Sequence, residues 1–233
     1  MRRLTFWSLA TLPLLFSSSL FAASPYDAFL LDIYRLERCG FMTTSETAKA
    51  DRVDRCRDIL DAANAALEGV SDADPARQSA MAEAWQTLSS VHEEALAEPS
   101  MFRTPYTSDD LRSGRRAIVA LLQDDLPKPP SPVALAIQME RIANEYVWRA
   151  ESVMGMTAGS SEILDIEVMV AEADAQFAML LKSRPKDLEV RGVYAKYQFI
   201  RNSLINYNSN TVPYIVDLYA DKITEALSAM KES

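Results

Sequence analysis

Apolar residues recur every three or four positions along almost the whole chain, and this pattern limits the folds open to it. Val53, Cys56, Leu60, Ala63, Leu67 and Val70 form one stripe, and Met81, Trp85, Leu88, Val91 and Ala95 form another. Ile163, Ile166, Val170, Ala173, Phe177 and Leu180 make a third. Val193, Tyr197, Ile200, Leu204 and Tyr207 make a fourth, and Val216, Tyr219, Ile223, Leu227 and Met230 a fifth. A period near 3.6 gathers such side chains on one face of a helix, and that face must be buried against a neighbour. No segment sustains the period of two that a half-buried strand needs. The expected fold is all-α, built from about eight amphipathic helices.

Local punctuation places the helices. Asp74-Pro75 and Ser131-Pro132 each pair an N-cap with a proline at the first helical position. Ser108 precedes Asp109 and Asp110, whose charges suit a helix N-terminus, and Pro185 and Pro213 open two more helices. The predicted helices lie near 26–40, 47–69, 75–97, 108–123, 132–155, 161–182, 187–208 and 213–231. The proline-rich segment 124–132 divides them into an N-terminal half, 24–123, and a C-terminal half, 133–233. At an offset of 112, Tyr34 falls on Tyr146, Leu67 on Met179, Trp85 on Tyr197 and Gln86 on Gln198. After a four-residue slip, Pro105-Tyr106 falls on Pro213-Tyr214. Aligned stripes also produce such matches by chance, so duplication stays open. Two four-helix bundles and one merged array both fit.

Residues 1–23 read as a secretory signal peptide: Arg2 and Arg3 first, an apolar run from Leu4 to Phe16, then the small residues Ser17, Ser18, Ser19, Ala22 and Ala23. Phe21 is large for the −3 position of a cut after Ala23. The expected address is periplasmic or secreted, with no membrane span in the mature chain. The whole chain carries a net charge of −9, and loss of a leader with two arginines and no acid makes it more negative. That balance weighs against nucleic acid and anionic membranes as partners. Cys39 and Cys56 are the only two cysteines. In an oxidising compartment an even pair is expected to close a disulfide, pinning the first helix to the second.

Catalytic motifs are lacking. The single histidine, His92, lies within an amphipathic helix beside Glu93 and Glu94, and no Gly-x-Ser-x-Gly elbow occurs. Zinc-binding His-Glu-x-x-His spacing is absent, and no metal or cofactor is expected. Met139, Met154, Met156, Met169 and Met179 could suggest soft-metal binding, but their helical spacing makes most of them core fillers. Two surfaces are better candidates. Arg112, Arg115 and Arg116 cluster on one helix, where they can hold an anion or pair with Asp109 and Asp110. Asn202, Asn206, Tyr207, Asn208, Asn210 and Tyr214 surround the last inter-helix turn, either as caps and core or as the lining of a polar site.

The segment Gln138-Met139-Glu140-Arg141-Ile142-Ala143-Asn144-Glu145-Tyr146 resembles the opening helix of PilJ-like sensor domains, the N-terminal domains of type IV pili methyl-accepting chemotaxis transducers. Arg141, Ile142, Ala143 and Tyr146 match that family's helix, and the resemblance covers about residues 133–231. It implies an extracytoplasmic four-helix bundle that binds a small ligand and signals across a membrane. The chain departs from the pattern at Ala136, where the family's earlier motif arginine stands, and it carries no output module.

The expected function is thus an exported, non-enzymatic, sensor-like or binding module acting through a partner protein of the cell envelope. The alternative is a structural adaptor or assembly factor without a small-molecule ligand. Arg141, Tyr146, Asn202, Asn206, Tyr207 and Tyr214 are the candidate ligand- or partner-binding residues. Arg141 either meets an anion or pairs with Glu145 one turn on.

Overall fold

A computed structural model describes residues 24–43, 51–70, 74–151, 165–207 and 211–230. The leader, Met154, Met156, Asn208 and Asn210 lie outside the described residues. Eight α-helices are described, and no strand occurs among these residues. They are α1 (Pro25–Met42), α2 (Asp51–Gly69), α3 (Pro75–Ala97), α4 (Pro105–Leu121), α5 (Pro132–Glu151), α6 (Ile166–Ser183), α7 (Leu188–Ile205) and α8 (Pro213–Ala229). Two short 3-10 segments, Pro99–Arg103 and Gln123–Asp125, flank α4.

The helix starts follow from side chains that capture otherwise unpaired backbone N–H groups. Ser24 and Asp27 form a reciprocal capping box at α1, and Asp74 accepts from Ala76 N–H at α3. Two expected starts are corrected. Helix α4 begins three residues before Ser108, because Thr104 accepts from Thr107 N–H with Pro105 in the first turn. Ser108 is buried inside α4 instead, its hydroxyl accepting from Trp148 Nε1–H at 2.8 Å. Pro185 lies in the turn before α7, whose cap is Asp187.

Helices α1–α4 and α5–α8 each close a four-helix group in which the first helix touches the fourth. The two groups meet where α1 packs along α5, and one apolar core runs through both. Phe29 meets Trp85 edge-on at 5.2 Å in the first group, and Phe177 stacks on Tyr197 at 4.5 Å in the second. The Cys39–Cys56 disulfide joins α1 to α2. Most residues matched at the 112 offset hold corresponding places. Tyr34 and Tyr146 are buried on the first helices, Trp85 and Tyr197 on the third, and Pro105 and Pro213 each start a fourth. Leu67 and Met179 differ, since Met179 is exposed while Leu67 packs on the core.

Helix α5 is buried on nearly all sides, from Pro132 through Glu140 and again from Ile142 through Trp148. Its sequence nevertheless includes Gln138, Glu140, Asn144 and Glu145. Polar groups removed from water in this way are costly unless partnered, so their partners define the interior chemistry of the molecule.

Candidate functional site

One face of α5 is met by a network of ion pairs. Arg38 on α1 is 1% exposed and Glu140 on α5 is fully buried; the two form an ion pair. Arg38 also donates to Asp217 on α8 at 2.8 Å and pairs with Asp221 one turn on. Arg35 donates to Glu140 at 3.1 Å, and Arg52 and Arg55 on α2 reach Asp217 at 3.4 Å. Thr224 donates to Glu140 at 2.7 Å. Burial opposes the charge on Arg38, but Glu140, Asp221 and Asp217 outweigh it and hold its pKa above the ordinary value. Every charge here meets its opposite, so the network ties helices together and offers nothing to a ligand.

A second buried group lies between α1, α3, α4 and α5. Arg115 on α4 pairs with Glu37 on α1, which also accepts from Asn144 Nδ2 at 3.0 Å. Arg112 pairs with Glu145 at 3.0 Å and lies over the Trp148 ring, its guanidinium carbon 4.0 Å from the centroid. Arg112 and Arg115 therefore turn to the carboxylates of α5 and α1, away from Asp109 and Asp110. Burial raises the Glu37 pKa, yet Arg115 and Arg112 prevail and keep it below the ordinary value. His92 on α3 is fully buried, and burial pushes its pKa down to about 4 against the pull of Glu37. It stands as a neutral ring beside Phe102, with centroids 6.0 Å apart.

Beside this group lies a cleft of about 410 Å³ between α1, α4, the segment after α4, and α5. Its floor is apolar, with Leu30 and Ile137 buried and Val119 and Leu126 half-buried. Arg115 reaches its inner wall over the Tyr34 ring, 5.1 Å from the centroid. Arg116, Ala120, Gln123 and Arg141 complete the lining, and no lining residue is acidic. Arg115 is already neutralised by Glu37, but Arg116 and Arg141 are not. Arg116 donates to Ser113 Oγ at 3.2 Å, and Arg141 donates to Gln138 Oε1 at 3.2 Å. Neither forms an ion pair among the described residues. The Arg141–Glu145 pair that the spacing allowed does not form, because Glu145 is held by Arg112 and by Arg149 at 3.0 Å.

The remaining predicted residues fall elsewhere. Tyr146 is buried, and its hydroxyl accepts from Val212 N–H at 2.8 Å, anchoring the approach to α8. Asn202 and Asn206 are exposed at the end of α7, where Asn206 Nδ2 donates to Asn202 O at 2.8 Å as part of the helix ending. Tyr207 is half-buried beneath the Arg149 guanidinium at 4.8 Å, and Tyr214 lies 5.3 Å from that of Arg52. Of the six, only Arg141 lines the cleft. Its neighbours there, Tyr34, Gln123 and Leu126, were not singled out from the sequence; only the α4 arginine cluster pointed towards them.

Among the described residues no group of three His, Cys, Asp or Glu side chains is placed to hold a metal ion, and no helix is long and apolar enough to cross a membrane. No protein-family model, no curated protein and no solved structure matches the chain.

Proposed function

We propose that this protein is a non-enzymatic, sensor-like binding module of the cell envelope that takes an anionic ligand in the cleft between α1, α4 and α5 and acts through a partner protein. One observation carries the reading: Arg116 and Arg141 line an acid-free cleft without a carboxylate partner, in a chain of net charge −9. The buried arginines Arg38, Arg112 and Arg115 all have carboxylate partners. Cationic groups held at a concave, partly apolar surface suit recognition of an anion. The leader-like residues 1–23 support export, the Cys39–Cys56 disulfide is compatible with an oxidising compartment, and the PilJ-like pattern around Arg141 supports a sensory role.

The test is thermal melting of the exported protein with sulfate, phosphate, acetate and longer carboxylates, at constant ionic strength. At least one anion should raise the melting temperature of the native protein, and Arg116→Gln/Arg141→Gln should abolish the rise. Equal shifts in both proteins would remove the cleft from consideration. A structural-adaptor reading rests on a different observation. Val168, Met179, Leu188, Phe199 and Tyr214, all in the second half, are exposed, and Phe199 packs on Tyr219 at 4.6 Å. In that case a purified envelope partner would bind with undiminished affinity to the double arginine variant and weakly to Phe199→Ser.

A further inference from the structure

We infer that the ligand of the cleft is an amphipathic monocarboxylate, with its carboxylate at the Arg116–Arg141 mouth and an apolar body of medium chain length against the floor. This rests on the binding-module reading above and specifies its ligand class. The lining divides into two chemical regions. Leu30 and Ile137 are buried, Val119 and Leu126 are half-buried, and together they present hydrocarbon. Arg116 and Arg141 are half-exposed and keep donors that no carboxylate occupies.

Size narrows the class. At about 30 Å³ per closely packed heavy atom, 410 Å³ holds on the order of ten such atoms. Sulfate, phosphate or acetate would fill less than half of that space and leave the apolar floor wet. A saturated carboxylate of about eight carbons occupies roughly three-quarters of it and covers the apolar floor.

Charge narrows it further. Arg115, the one arginine of the inner wall, is already paired with buried Glu37. A second carboxylate at the inner end would find no free cation and would be desolvated against Leu30 and Ile137, which is strongly unfavourable. An alkylammonium of the same length would set its charge against two guanidinia. One negative head and one apolar body is the arrangement that satisfies both regions.

Isothermal titration of the full exported chain tests this with acetate, hexanoate, octanoate, suberate, octylamine and sulfate, each below any micelle-forming concentration. Affinity should rise roughly fourfold per added methylene from acetate to octanoate, while octylamine shows no binding. Suberate should bind at least tenfold more weakly than octanoate. Arg141→Gln and Arg116→Gln should each weaken octanoate about tenfold or more, with circular dichroism and melting temperature preserved. Leu126→Asn, outside the helices, should weaken octanoate and leave acetate unchanged, so the class does not depend on one variant folding. Binding of sulfate or acetate as tight as octanoate, with the same arginine dependence, would overturn the amphipathic class and leave the anion-binding module standing. Suberate equal to octanoate would overturn the single-headed ligand. No heat from any of these anions at either of two temperatures, with no rise in melting temperature, would overturn both readings.

Discussion

Arg38→Met tests whether the two halves are held together by charge. The guanidinium is 1% exposed and engages Glu140, Asp217 and Asp221 at once, while methionine approximates its volume without its charge. Removing one member of a buried ion pair costs about 3–5 kcal/mol, because the charge left behind stays out of water. Each abandoned carboxylate here keeps a second partner. Glu140 retains Arg35 and Thr224, Asp217 retains Arg52 and Arg55, and Asp221 retains Arg55. The loss should therefore fall at the lower end, about 3 kcal/mol, a large share of the roughly 5–15 kcal/mol typical of a folded protein. With an m-value of about 2 kcal/mol/M, the urea midpoint at pH 7 moves down by about 1.5 M. Arg38→Met/Glu140→Met should recover at least half of that, since a buried pair replaced by apolar groups is often neutral. Burial already raises the Asp221 pKa, so the single variant's deficit should narrow as pH falls and the carboxylate takes up a proton. A single-variant loss below about 1 kcal/mol, or a double variant no better than the single, would refute the reasoning.

Three further perturbations read other parts of the molecule. His92 has an ordinary pKa of 6.5, lowered to about 4 by burial, so the unfolded state binds its proton first and stability falls as pH drops from 6.5 towards 4. By pH 5 this amounts to about 2 kcal/mol, and urea titrations at pH 7 and 5 should show a correspondingly smaller loss for His92→Phe. Gly40→Ala places a methyl 2.3 Å from the Phe102 ring, which is buried, and should cost about 1–3 kcal/mol in the same assay; an unchanged midpoint would mean that the ring can withdraw freely. Cys39→Ser/Cys56→Ser opens a link spanning 17 positions and should cost about 3 kcal/mol, while mass measurement of the native protein with and without reductant should differ by two hydrogens.

Much of the fold was legible because the stripes of α2, α3, α6, α7 and α8 are one-sided and their neighbours need only be apolar. The caps at Asp74 and the prolines at 75, 132 and 213 were legible for a similar reason, since their effect is local. Ser108 misled because it shares the chemistry of a cap, yet Thr104 and Pro105 satisfy the turn first. What could not be read was the polar lining of α5. Glu140 answers Arg38 from 102 positions away, and Asn144 answers Glu37 from 107. No period or spacing connects such partners. The same blindness applied to the candidate site. Arg141 was identified, but its freedom depends on Glu145 being taken by Arg112 and Arg149, and its companions Tyr34 and Gln123 come from distant segments. The Asn/Tyr turn was identified for its composition, whereas the described geometry bonds Asn206 to the end of α7 and fastens Val212 to Tyr146 of α5.

The charged seam between the halves also bears on the order in which the chain can assemble. A polypeptide made or threaded N-terminus first presents Arg38, Arg52 and Arg55 long before their acidic partners. Arg38 meets Asp217 only across 179 positions and Asp221 only across 183. The Cys39–Cys56 link can close early, since both cysteines are local, and it would then hold α1 beside α2 with that cationic face still open to water. Closure must wait for α5 and α8, and long-range closures of this kind make folding slow relative to helical proteins with local contacts. A helper that shields the waiting arginines, or a synthesis pause after residue 123, would act on this interval.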